Sequence, residues 1–385
     1  MPCWSEWRSG GAPETSGRWR RSSGAEFEIS LARVGLLSGT VYFAAVMLAT
    51  PLAVPLTARL GVVRSCALAT AAMAIGHLVF ALSPDFALLL VARAVVGTGG
   101  ALALIAGPVM ARELGGVRLL GLFGGAITLG LAAALGLGSL LLDLGAGWRV
   151  GFAVSVAVCL TPLLMLPARI ATAPAPRVDR TFLGAALRAG AVWRLLLLFV
   201  AANGVPLIVG AWLVAYLTRD AELPTAVAGA LGFVVFGLTT LVRPLGARLA
   251  EGRERFGLLA GGGSLFAAAG LLALAGSRSL PLALVAVALM GVGFALPYAV
   301  MVDAAQRLYP GRGTATLAVL QTGPNVVPMV VIPVVGSALT HRHAPLALVL
   351  LAVVVALAGA VNLTAPTVRA STPGGSGDPH PVDAS

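Results

Sequence analysis

The sequence predicts an all-α, polytopic membrane protein of two pseudo-symmetric helix bundles, and three observations predict it. The mean hydropathy is +0.95, with 58% hydrophobic and only 11% charged residues, whereas a soluble domain carries about a quarter charged residues. Eleven apolar runs follow one another, separated by short polar gaps. The two halves of the chain also repeat. Val91–Leu102 reads VARAVVGTGGAL and Val285–Leu296 reads VAVALMGVGFAL, identical at seven of twelve positions with an offset of 194 residues. The same offset carries Arg59 onto Arg253 and Arg118 onto Arg312. An internal repeat of this size in a helical membrane chain implies two bundles around a central pathway.

Residues 1–30 are polar, with Arg8, Arg18, Arg20, Arg21, Glu26 and Glu28, and lack the apolar core of a signal peptide. The runs fall near 33–56, 65–83, 87–110, 119–142, 149–167, 193–217, 224–247, 256–276, 280–303, 314–340 and 345–365. Each is long enough to cross about 30 Å of hydrocarbon at about 1.5 Å per residue. Five helices make an N-terminal bundle (31–167) and six a C-terminal bundle (193–365). Between them lies a polar, Pro/Ala-rich linker (168–192), and the tail 366–385 has the composition of disorder.

The formal net charge of +11 comes entirely from arginine, and nearly all 26 arginines lie in the gaps. That is the pattern of a membrane protein rather than a nucleic-acid binder. Without lysine no Walker-type ATPase site can be encoded. Cys3, Cys66 and Cys159 are far apart, so neither a disulfide framework nor a metal site is expected, and no cofactor is implied. One alternating set of gaps, with the tail, holds sixteen arginines and the other set four. The positive-inside rule puts the arginine-rich set, the linker and the C-terminus in the cytoplasm. The lysine-free, Arg/Ala/Gly/Pro-rich composition points to a GC-rich bacterial genome and so to the bacterial cytoplasmic membrane.

Two stretches carry a resemblance to a known family. Val54-Pro-Leu56-Thr-Ala58-Arg59-Leu-Gly61-Val-Val follows the loop pattern G-x-L-a-D-R-x-G-r-r, with Ala58 for the Asp and Val54 for the Gly. Its second-half counterpart, Arg243-Pro-Leu-Gly246-Ala-Arg248-Leu249-Ala-Glu251-Gly-Arg253, keeps an acid at Glu251. Arg93, followed by Gly97, Gly99 and Gly100, fits an R-x-x-x-G-x-G pattern. Over residues 28–365 the chain resembles the major facilitator superfamily of secondary transporters.

The resemblance implies alternating access, a small-molecule solute, a monomer and coupling to an ion gradient, with protons the expected ion. Arg93 would couple protons or contact solute, and the loop residues Arg59, Gly61, Arg243, Glu251 and Arg253 would form gates at the cytoplasmic face, against the plain reading of a positive-inside anchor. Asp303, near the cytoplasmic end of its helix, reads as a gate or capping charge rather than a substrate ligand. An Arg at depth costs about 2.5–3.5 kcal/mol on insertion scales and marks a function by default; a snorkelling or carbonyl-bonded Arg is the plain alternative. The glycines read as close helix contacts. Gly130–Ser139 has the small residues of the family's antiporter pattern but no proline, and Gly147-Trp148-Arg149 is similar to a turn of family exporters. Together they favour export slightly.

Asn203-Gly-Val-Pro206 and Gly323-Pro324-Asn325, with Pro328 and Pro333, interrupt two helices at mid-membrane. Freed backbone groups there must face a cavity or protein. Asn203, Gln321, Asn325 and Tyr298 are the cavity-lining candidates, against the reading of locally satisfied kinks. His77 is either a titrating group or a packed neutral histidine. A membrane enzyme and a sensor are the rival classes; the first lacks convergent acids and histidines, the second a soluble module. Finally, family members have six helices per half. The repeat puts the missing helix at residues −1 to 23, a window that cannot span a bilayer, so the expectation is a chain lacking its first helix through a mis-set start or frameshift, or a true eleven-helix variant.

Overall fold

The structure, a computed structural model, describes residues 30–165, 186–250, 256–309 and 313–364. The polar N-terminal segment with the proposed missing-helix window, most of the linker, the C-terminal tail, Glu251 and Arg253 lie outside the described residues. Lipid offers no hydrogen bonds, so apolar runs must satisfy their own backbone as helices, and no strand occurs among the described residues.

The helices are α1 Leu31–Leu60, α2 Val62–Leu82, α3 Phe86–Gly115, α4 Leu122–Asp143, α5 Trp148–Met165 and α6 Gly190–Arg219. Then follow α7 Thr225–Ala250, α8 Gly257–Ala275, α9 Leu280–Leu308, α10 Gly313–Leu320, α11 Thr322–Thr340 and α12 Ala344–Leu363. Ten of the described helices are long and apolar enough to cross a membrane. The expected run 149–167 appears as a shorter apolar helix, Trp148–Leu163.

Three boundaries differ from the sequence expectation. The gap expected at 111–118 is helical, so α3 and α4 belong to one continuous stretch, Phe86–Asp143. It is not straight. A Cβ on Gly107 would come within 2.6 Å of the Phe123 ring, although a straight helix would separate the two by about 24 Å. Pro108 inside the helix and Gly115 are the residue types that allow such a bend. The Asn203 break is a π-helical turn, Val200–Gly204, inside a continuous α6. The break expected at 323–325 falls two residues earlier, at Gln321, between α10 and α11. Pro324 lies in the first turn of α11, where a missing N–H costs nothing, so the helix can start around it.

The repeat is carried by glycine contacts. A Cβ on Gly76 would meet Val96 and the Ala92 carbonyl; one on Gly270 would meet Met290 and the Ala286 carbonyl, each partner 194 residues on. Gly99 packs against Ala69 and Met73, and Gly293 against Ala267, which is again Met73 plus the offset. Small residues let backbones approach where lipid supplies no hydrophobic drive. Gly76→Val and Gly270→Val are therefore expected to destabilise by similar amounts, about 1–3 kcal/mol each, read as thermal unfolding in detergent. A large loss at one site and none at the other would contradict equivalent packing.

One apolar core joins the two halves, and its position matters. From the first half it takes Leu31, Val34 and Phe43 of α1 with Ala132 and Leu135 of α4; from the second it takes α6 residues from Ala201 onward and Ile332, Val335 and Leu339 of α11. All lie toward the arginine-poor ends of their helices. Toward the arginine-rich ends the buried apolar clusters of the described residues each stay within one half. One cluster there runs from Ala186 to Leu320 within the second half, and two small ones centre on Ala53, Val62 and Ala106 in the first.

Candidate site between the two halves

At the arginine-poor end the two halves are closed against each other. Gly35 and Gly39 of α1 lie against Pro333 and Ile332 of α11, where a Cβ would come within 2.7 and 2.8 Å of them. Thr40 Oγ1 donates to the Met329 carbonyl at 2.7 Å, and the buried Trp212 indole N–H donates to the Ile332 carbonyl at 2.9 Å. The first bond occupies the carbonyl that Pro333, lacking an N–H four residues on, leaves unpaired in its own helix. The α1, α6 and α11 backbones are thereby tied together at one depth.

Arg93 sits seven residues, about 10 Å, into α3 and is only 6% exposed. Its Nη2 donates to the Ser38 carbonyl at 3.4 Å, and its guanidinium lies 5.0 Å from the Tyr42 ring centre. Tyr42 is held flat against α3 because Gly97 and Gly100 leave room for its backbone and hydroxyl. The R-x-x-x-G-x-G pattern is thus one device: an arginine, its aromatic partner on α1, and the glycines that admit that partner. In the second half the equivalent positions are Val287 and Phe236. The polar pair belongs to the first half alone.

His77 packs on α2 with its ring 5.9 Å from Phe152, in electrostatic range of Arg93; its Nδ1 is buried without a partner. Beside it Phe80 stacks on Phe152 at 4.1 Å and meets Trp148 edge-on. Arg149 donates to the Ala81 and Ser83 carbonyls at 2.7 and 3.1 Å, closing the end of α2. It also stacks on Trp148 at 4.5 Å. The Gly147-Trp148-Arg149 turn is therefore taken up by packing and capping. Arg149→Ala is expected to cost about 1.5–3 kcal/mol, the range for hydrogen bonds from a charged donor. An unchanged unfolding temperature would contradict that role.

A second cluster lies toward the arginine-rich end, where α4, α7 and α9 meet. Arg243, expected near a loop, is helical in α7 and reaches across to the first half, because α7 continues through Pro244 to Ala250. Its Nη1 donates to the Gly124 carbonyl of α4 at 3.1 Å. Its guanidinium lies 4.1 Å from the ring centre of Tyr298 on α9. One turn deeper, Thr128 and Thr240 are hydrogen-bonded at 2.8 Å across the same helix pair.

The other candidates divide. Gln321 is exposed at the α10–α11 break, and its carbonyl accepts from Asn325 Nδ2 at 3.0 Å, so the structure brings these two together. Asn203 sits in the π turn with Nδ2 buried and unpartnered, beside Gly204, which packs on Pro324. Asp303 pairs with Arg307 at 2.9 Å on an exposed helix face, a contact worth about 0.3–0.5 kcal/mol. Arg59 is exposed in the last turn of α1, and Gly61, at φ +79°, is the one-residue turn into α2. Among the described residues no group of three or more His, Cys, Asp or Glu residues could hold a metal ion. Tyr42, Thr128 and Thr240 were missed; each sits inside an apolar run, Thr240 beside Thr239, with no charge or motif to mark it.

The Major Facilitator Superfamily model matches residues 23–323. The chain belongs to this superfamily. Its fold is similar to a D-xylose–proton symporter at a TM-score of 0.72 and 17% identity, covering 89% of each chain. It is also similar to a bacterial homologue of the human lysosomal transporter Spinster. In the inward-facing, unoccupied conformation of that protein the TM-score is 0.67, at 18% identity and with 88% of this chain and 89% of that one covered. No curated protein sequence matches. The superfamily is one of secondary transporters, so the protein is a multi-pass membrane transporter and not an enzyme.

Proposed function

We propose that the protein moves a small solute across the bacterial cytoplasmic membrane by alternating access, with proton coupling and with its C-terminus in the cytoplasm. The observation that carries this reading is the one-sided core. Among the described residues the buried apolar core that the two halves share lies toward their arginine-poor ends, and polar contacts through α4 and α7 link them at the other. With the arginine-rich end in the cytoplasm, that is a closed outer end and an inner end held by a few breakable bonds. Packed apolar interfaces behave as two-state elements rather than deforming continuously, which suits opening at one end and closure at the other.

Within this reading Arg93 with Tyr42 serves the coupling step, and Asn203, Gln321, Asn325 and Tyr298 line the inner space. His77 remains packed. Arg243 ties the halves on the cytoplasmic side as an inner gate, with Arg59 and Gly61 at the α1–α2 turn; Glu251 and Arg253 would extend that gate. The slight preference for export gains nothing from the site, since Trp148 and Arg149 are occupied by packing. The test is solute accumulation in proteoliposomes with an imposed pH gradient, over metabolite and drug-like libraries. Gradient-dependent movement of one solute class is expected; movement of none, from protein proven folded and inserted, would contradict the proposal.

A further inference from the structure

We propose that the transported solute is an organic anion whose carboxylate or phosphate docks between Arg243 and Tyr298. This rests on the transporter reading above and deepens it. The first observation is an arginine with donors to spare. A guanidinium carries five N–H donors, and Arg243 has one hydrogen bond, to the Gly124 carbonyl, plus the Tyr298 ring across one face. Its Nε is buried without a partner, and among the described residues its contacts include no carboxylate.

Arg243 is partly buried, with its Nε fully so. A charge withdrawn from water without a counter-charge is costly, and a carbonyl and an aromatic face compensate only part of that. The Tyr298 hydroxyl lies beside Gly124, where an added Cβ would come within 3.2 Å of it. A side chain at position 124 would crowd this corner. The nearby Thr128 and Thr240 have backbone carbonyls to accept their hydroxyl protons, which leaves Arg243 and Tyr298 as the donors. One planar fork and one hydroxyl are complementary to the two oxygens of an acid group.

The second observation is the charge inventory. Among the described residues every carboxylate, namely Asp85, Glu113, Asp143, Asp220, Glu222 and Asp303, lies in a turn or near a helix end. The charges that reach across to a neighbouring helix inside the bundles include Arg93, bonded to the Ser38 carbonyl, and Arg243, bonded to the Gly124 carbonyl. A space walled by one sign of charge concentrates the opposite sign.

The test reads charge selection without needing the natural solute. In a background with Cys3, Cys66 and Cys159 replaced by Ser, Tyr298→Cys is labelled in detergent with methanethiosulfonates of opposite charge. The sulfonatoethyl reagent is expected to outpace the trimethylammonioethyl reagent by about tenfold relative to a free thiol. Adding Arg243→Gln is expected to abolish that preference, while Arg243→Lys, which keeps the charge, retains it. With Tyr298 intact and Thr240→Cys as reporter, 2-naphthoate is expected to slow labelling saturably, whereas 2-naphthylmethylammonium does not.

Equal rates for the two reagents, or a preference that survives Arg243→Gln, would overturn the proposal. So would protection by phosphatidylglycerol vesicles but not by 2-naphthoate, which would assign the site to a lipid headgroup. Anion selection intact in a protein that accumulates no solute would strike the transporter reading and leave the anion site standing.

Discussion

Arg93→Ala is expected to leave the protein inserted and folded yet reduce gradient-driven transport to the level of empty vesicles. The side chain holds α3 to α1 through a carbonyl and an aromatic ring, two contacts that can be exchanged without dismantling the core. Gly97 and Gly100 still seat Tyr42 against α3 when the guanidinium is gone, so the fold has reason to survive. A charge placed this deep is expensive to insert, and the second half manages with Val287 at the equivalent place. Arg93→Lys keeps the charge but loses the planar fork, and an intermediate rate is expected. Wild-type transport in the alanine variant would reduce Arg93 to a structural residue.

Gly35→Leu is expected to produce the second large effect, on the conformational equilibrium. A Cβ at Gly35 would meet the Pro333 Cα and the Ile332 carbonyl. These are backbone atoms, and no rotamer change can move them aside. Overpacking of this kind costs about 1–3 kcal/mol, and it burdens only the state in which α1 and α11 touch. That converts to roughly 5- to 150-fold in the ratio of closed to open outer ends. Thiol access to the α1–α11 contact from the external side is expected to rise accordingly. A lower unfolding temperature with unchanged access would show that this contact is not the moving one.

Much of the architecture was legible in the sequence because its cause is local. Lengths of apolar runs dictate helices in lipid, and the 194-residue offset read from the sequence recurs in the structure as matching glycine contacts at Gly76 and Gly270. What was not legible depends on distant chain. Tyr42 looked like any aromatic in an apolar run, because Arg93 approaches it from a helix some fifty residues away. Arg243 read as a loop residue because Arg-Pro usually ends a helix; α7 carries the pair without breaking, so the arginine projects into the space between the halves. The polar stretch Arg112–Arg118 suggested a loop, and the chain reversed direction within helix instead. Gly-Trp-Arg looked functional, and its neighbours at Ala81, Ser83 and Phe152 turned it into a cap.

The most direct measurement is the sidedness of Asn325→Cys, probed with a membrane-impermeant thiol reagent in vesicles of known orientation. Asn325 lies on α11 below the shared apolar core, bonded to the Gln321 carbonyl. In the resting protein it is predicted to react from the cytoplasmic face only. An imposed pH gradient is predicted to open a route from the other face, and Arg93→Ala to block that opening. Reaction from the external face at rest, or none from the cytoplasmic face, would contradict both the orientation and the one-sided closure on which the transport mechanism stands.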